Sequence, residues 1–281
     1  MAYLATIAAY GFPDIDTAAM LQLYRELGCS ACQYYRNEHH RPTPKEALEV
    51  ALDAGLAFDS IHGVFGPAYD PSSPDPATRK YAIETYRAEG QLALELGGPM
   101  VVVHPAPMAA DVSEITPDHT ALRNQAMQQS IEELAQIGEE LGVVYLIENV
   151  PGNFLLGSDP VKLAEMVRQV DHAQVRMCFD NGHAHMTGDQ IAHLTTCLDV
   201  VSYLHINDNN ARIDGHLIPG YGTCDWEQLS TLIAKLPAQT SAMLELFPTR
   251  FQLASEISNG LSEQLVQWLQ INCSFDPSHS V

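Results

Sequence analysis

Short apolar runs rich in β-branched and aromatic residues alternate along this chain with stretches in which apolar residues recur at helical spacing. Eight of the runs read as strands: residues 3–8, 31–35, 58–62, 100–104, 143–148, 176–180, 200–206 and 242–246. Residues 76–96 and 121–141 give the clearest amphipathic helices between them. Asp16 and Thr17 suit the cap of an earlier helix, and Pro44-Lys45-Glu46 a helix first turn. Leu96-Gly97-Gly98 and Leu141-Gly142 read as helix stops placed just before strands. Eight strand–helix units with no break in composition predict an α/β fold, a single (β/α)8 TIM barrel spanning residues 1–281 as one domain. An open doubly wound sheet would want a Gly-rich phosphate loop after the first strand, and Ala8-Ala9-Tyr10-Gly11 is not one.

Composition narrows the classes of function. Thirty-five acidic residues face 14 basic ones, a formal charge of −21, which repels phosphate backbones and anionic membranes. That balance argues against a nucleic-acid partner, and bound cations would offset part of it. No apolar run reaches the roughly 18 residues of a membrane span. The opening Met1-Ala2-Tyr3-Leu4-Ala5 lacks the basic start of a secretory signal, so a cytoplasmic protein is expected. Six cysteines make no disulfide framework in so long a chain. Cys29-Ser30-Ala31-Cys32 has no second pair and reads as ordinary half-buried cysteines. A homo-oligomer is compatible with these features and not required by them.

Residues that are expensive to bury recur at the carboxyl ends of the strand candidates: His62, His104, Glu148, Asp180, His205 and Glu245. In a barrel those ends ring the mouth where active sites are built. Singly, each has a plain structural explanation, a satisfied histidine or a helix cap. Jointly they favour a site. Two Glu, one Asp and one His form a mixed oxygen and nitrogen set suited to Mn²⁺, Zn²⁺, Mg²⁺ or Co²⁺.

Leu146-Ile147-Glu148-Asn149, Phe179-Asp180-Asn181-Gly182-His183-Ala184 and His205-Ile206-Asn207-Asp208-Asn209 resemble the signature strands of the xylose-isomerase-like TIM-barrel superfamily. So do residues 214–222, then Asp225-Trp226 and Leu244-Glu245. The group includes sugar phosphate isomerases and epimerases, ketose 3-epimerases, dehydratases and endonuclease IV. The resemblance implies a metal held by Glu148, Asp180, His205 and Glu245, with His183 touching substrate. It implies Glu148 and Glu245 as acid/base groups on opposite faces of a sugar, moving a proton α to a carbonyl through a metal-stabilised enediolate. His62 is a further substrate-contact candidate, and Trp226, Phe65 and Tyr69 are candidates for a sugar-stacking wall, with barrel–helix packing the alternative for Trp226. Gln33 stands near a strand-two position where ketose enzymes often carry Glu. The alternatives are a metal-dependent dehydratase and a trinuclear zinc phosphodiesterase like endonuclease IV. For the latter, His62, His104, His183, Asp214 and His216 would supply the additional ligands. The acidic loop 63–76 counts against that nuclease-like alternative, and the expectation is an isomerase or epimerase acting on a small-molecule sugar.

Overall fold

In a computed structural model, which describes residues 3–37 and 39–269, eight parallel strands close into a barrel in sequence order. They are β1 (Tyr3–Tyr10), β2 (Ala31–Arg36), β3 (Ala57–His62), β4 (Met100–Val103), β5 (Val144–Glu148), β6 (Val175–Asp180), β7 (Val201–Ile206) and β8 (Ser241–Leu244). Pairing of Tyr3 with Ser241 and of Thr6 with Leu244 closes the ring between β1 and β8. Met1, Ala2 and residues 270–281, which the expected domain includes, lie outside the described residues.

The helices are α1 (Thr17–Glu26), α2 (Pro44–Asp53), α3 (Pro76–Leu96), α4 (Pro117–Leu141), α5 (Pro160–Val170), α6 (Asn181–Thr187), α7 (Gln190–Cys197), α8 (Trp226–Ile233), α9 (Arg250–Ser258) and α10 (Leu261–Leu269). Helices α2 to α5 each start with proline directly after a capping Thr or Asp, which uses the proline's missing N–H where no partner exists anyway. Thr116 and Pro117 therefore start α4 four residues before the apolar periodicity does. Gly97 and Gly142 end α3 and α4 in the left-handed conformation, as expected. Among the described residues no helix is long and apolar enough to cross a membrane.

Alternate strand residues point inward. Tyr3, Ala5, Ile7, Ala9, Ala31, Val102, Leu146, Cys178, Tyr203 and Met243 pack together inside the barrel. The larger apolar cluster joins the outer strand faces to the helices. At the base of β3, buried Asp59 accepts hydrogen bonds from Tyr3 Oη (2.8 Å), Tyr203 Oη (3.2 Å) and Ser60 Oγ (2.7 Å). Burial raises its pKa above the ordinary carboxylate value. Cys29 and Cys32 are fully buried, a correction to the half-buried expectation, with Cys29 Sγ donating to the Ala5 carbonyl.

Candidate metal centre

Counting by two from the inner core reaches the mouth. Glu148 follows Leu146, Asp180 follows Cys178, His205 follows Tyr203 and Glu245 follows Met243, each two residues beyond an inward-facing side chain. His104 follows Val102 in the same way, and Tyr35 follows the buried Gln33. Side chains of one parity thus form a layer at the carboxyl ends of the strands.

This layer and the loops above it gather nine ionisable residues into three sets whose ligand atoms lie within 4.8 Å of one another. Glu148, Asp180, His205 and Glu245 form the first, and all four are buried. His205 Nδ1 lies 2.9 Å from Glu148 Oε1, 3.1 Å from Glu245 Oε2 and 3.9 Å from Asp180 Oδ2. The second set is His62, His104 and Glu148: Glu148 Oε2 is 3.1 Å from His104 Nε2 and 3.6 Å from His62 Nε2. In the third, His183 Nε2 and His216 Nε2 approach the two oxygens of Asp214 at 3.2 and 3.3 Å.

Local structure explains these orientations. A carbonyl can only accept, so His183 Nδ1–H donates to Asn149 O, His62 Nδ1–H to Gly63 O and His216 Nδ1–H to Glu245 O. Each ring is thereby oriented with Nε2 facing its carboxylate, the nitrogen that is free to ligate a metal once its proton is lost. His216 holds its place in the left-handed region at φ 42°, and its own carbonyl accepts from Phe247 N. Asp180 is both candidate ligand and helix cap: Oδ1 accepts from His183 N, and Oδ2 from Asn207 Nδ2. Asn149 brackets the Asp180 backbone at both N–H and carbonyl. Gly182 is required here, because a Cβ would collide with Asn207 Oδ1. Asp208 ties down the loop bearing Asp214 and His216, accepting from Gly220 N, Cys224 N and Trp226 Nε1.

The electrostatics fit a cation. Burial pushes Asp180 up to about 7, helped by the neighbouring Glu245 and Glu148 charges. Burial also opposes the charge of Glu245, yet His205 and His216 hold it down at about 2. Although burial works against a charged His183, the Asp180 and Asp214 carboxylates raise it to about 10. Protons on histidines therefore balance clustered carboxylates. Glu148 Oε2, Glu245 Oε2 and His205 Nε2 are buried without a hydrogen bond among the described residues. Buried polar atoms left in that state cost free energy. Glu245 Oε2 faces the first ligand set and Glu148 Oε2 the second, so a divalent ion held in either set would satisfy the glutamate oxygen there. The donor set suits Mn²⁺, Zn²⁺ or a similar ion.

Aromatic rings surround the histidines. Phe65 stacks on His104 at 4.5 Å, Tyr35 meets His62 edge-on at 5.1 Å and Phe247 covers His216 at 4.9 Å. Beside His62 opens a cavity of about 200 Å³, lined by Phe12, Tyr35, Arg36, Asn37, Gly63, Val64, Phe65 and Tyr69. Phe65 and Tyr69 line this cavity. Trp226 does not. It is buried at the start of α8, stacked on Trp268 at 6.0 Å, which is the packing alternative. Gln33 lies below the rim and bonds Ser60, so Tyr35 holds the strand-two position at the mouth. The acidity of loop 63–76 is partly structural: Asp70 is buried against Arg123 and Asp75 caps α3.

The model of one family, described as xylose isomerase-like TIM barrel, matches residues 21–271. An uncharacterized protein of Methanocaldococcus jannaschii is 29% identical over 208 residues, covering 72% of this chain and 67% of its own. D-psicose 3-epimerase of Ruminiclostridium cellulolyticum is 24% identical over 94% of this chain and 86% of that one. A solved D-psicose 3-epimerase from Clostridium cellulolyticum H10 shares the fold at a TM-score of 0.72 and 18% identity, over 95% of this chain and 97% of that one. A probable endonuclease 4 of Bacillus velezensis is 23% identical over 73% of this chain and 74% of its own.

Proposed function

Because the chain belongs to the xylose isomerase-like TIM barrel family, we propose that it is a divalent-metal-dependent isomerase or epimerase of a sugar or sugar derivative. One observation carries this reading. Two buried carboxylates, Glu148 and Glu245, flank His205 Nδ1 at 2.9 and 3.1 Å, beside an aromatic-lined cavity of small-molecule size. The similarity to D-psicose 3-epimerase over 94% of the chain supports it.

Glu148, Asp180, His205 and Glu245 would hold the metal. When bound, the ion would polarise the substrate carbonyl and stabilise the negative charge that develops on its oxygen. The protein's own part is proton transfer. One glutamate takes the proton from the carbon α to the carbonyl, and the other returns a proton to the opposite face for epimerisation. Returning it to the neighbouring carbon gives isomerisation instead. The His183 ring, held by Asn149, would touch a substrate oxygen at the rim. Phe65, stacked on His104, would offer the substrate an apolar face beside the centre.

The test is deuterium wash-in from D₂O across a panel of ketoses, aldoses and keto-sugars, with metal content measured. Metal-loaded protein should exchange one α proton, and Glu245→Gln should slow exchange by about 10²–10⁴-fold. No exchange on any member of the panel would sink the proposal.

A second reading has its own observation. The three ligand sets match the residue types of a trinuclear zinc phosphodiesterase, and a probable endonuclease 4 is among the relatives. The charge of −21 weighs against gripping DNA. Three zinc ions per chain with cleavage of an abasic-site oligonucleotide would establish that reading in place of the first.

A further inference from the structure

The cavity beside His62 contains a cation whose charge is already cancelled. Arg36, at the end of β2, lines it, and the guanidinium pairs through Nη2 with both carboxylate oxygens of Glu89 from α3. Both side chains are almost wholly inaccessible, at 1% and 3% exposure. Arg36 Nη1 donates to the His62 carbonyl, and its Nε is a buried donor without a partner among the described residues. The remaining walls are largely aromatic. Phe12 and Tyr35 stack at 5.6 Å on one side, with Phe65 and Tyr69 contributed by the loop after β3. That loop is pinned rather than loose: Tyr86 Oη donates to Val64 O, and Arg123 pairs with Asp70.

We propose that this cavity is the subsite for the part of the substrate remote from the reacting carbonyl, and that it selects an uncharged sugar ring or glycoside over a sugar phosphate. The proposal rests on the isomerase reading of the adjoining centre. A phosphate entering here would lose its hydration and meet an Arg36–Glu89 pair of no net charge, so the desolvation would go largely unrewarded. A hydroxyl group is uncharged and costs far less to dehydrate than a phosphate. The aromatic faces cover the C–H face of a sugar ring and give such a ligand its apolar contact. The nearest arm of the metal centre is His62, so a ring seated here leaves its neighbouring carbons toward Glu148.

Titration calorimetry on the metal-loaded protein tests this with two probes, methyl β-D-glucopyranoside and its 6-phosphate. The neutral glycoside should bind about tenfold tighter or better, a difference of about 1.4 kcal/mol. Phe65→Ala should weaken the glycoside about fivefold through loss of a stacking face. Glu89→Gln leaves the guanidinium charged and should narrow or reverse the preference. If that variant fails to fold, Phe65→Ala decides, because Phe65 is 40% exposed on a loop. Equal or tighter binding of the phosphate ester by wild type overturns the proposal, as does glycoside binding indifferent to Phe65, or no binding of either probe. Deuterium exchange separates the two ideas. Exchange with Phe65-indifferent binding leaves the reaction standing without the subsite, and Phe65-dependent binding without exchange does the reverse.

Discussion

His205 Nδ1 lies 2.9 Å from Glu148 Oε1, although 57 residues separate the two along the chain. The same nitrogen faces Glu245 Oε2 at 3.1 Å, so one imidazole sits between carboxylates from strands on either side of it. Such a cluster is balanced by protons or by a metal, and the balance can be measured.

Chelation should lower the thermal midpoint of the purified protein, and adding Mn²⁺ or Zn²⁺ should restore it. At free metal a hundred times the dissociation constant the expected gain is about 2.7 kcal/mol. Asp180→Asn and His205→Ala should lose that response, which scanning fluorimetry with elemental analysis will show. A midpoint indifferent to chelator and metal alike would contradict a resident ion at this centre.

His216→Ala tests how many ions the mouth holds. It removes one member of the His183–Asp214–His216 set and leaves Glu148, Asp180, His205 and Glu245 intact. Under the isomerase proposal the metal stoichiometry stays at one. A fall from three toward two on this substitution would transfer the case to the phosphodiesterase reading.

Gly182→Ala should be destabilising by about 1–3 kcal/mol, the usual cost of forcing a methyl into filled space. The new Cβ meets Asn207 Oδ1, and Asn207 Nδ2 is the donor that holds Asp180 Oδ2. Metal affinity should therefore fall along with the thermal midpoint. Unchanged values for both would mean that the loop yields at no cost and that Asn207 does not position Asp180.

Asp59 gives a pH dependence with a definite sign. Its folded pKa is raised by burial, so the folded state favours the protonated carboxyl. The stability this contributes is fully present below the unfolded value near 3.9 and is lost as pH rises through the raised folded value. Asp59→Asn keeps an acceptor for Tyr3 and cannot ionise. Its thermal midpoint relative to wild type should improve between pH 4 and pH 8. A difference that stays flat, or falls, across that range would be the wrong sign.

The barrel and the ligand positions are readable from the chain because burying a charged side chain is costly. Six ionisable residues, each ending an apolar run, are hard to account for except as one shared site. Tyr35 escapes such a reading because an aromatic residue in a strand looks the same whether it packs in a core or lines a mouth. Stepping two residues on from Gln33, as Leu146 leads to Glu148, is the signal that finds it. Trp226 shows the opposite error. Its place in the motif after Asp225 points to the site, while its indole binds Asp208 and stacks on Trp268. The pairing of Asp70 with Arg123 joins residues 53 positions apart, which no local pattern of the acidic loop could display.

The closing pair of strands has a bearing on assembly. Glu148, Asp180, His205 and Glu245 all come from the run β5 to β8, whose strands pair in sequence order, and β8 is held on its other edge by Tyr3 to Thr6 of the first strand. The second half of the chain therefore carries all four residues of the central set, while His62 and His104 of the second set come from the first half. Glu148, which belongs to both sets, is the residue through which the two halves of the ring come to share one mouth.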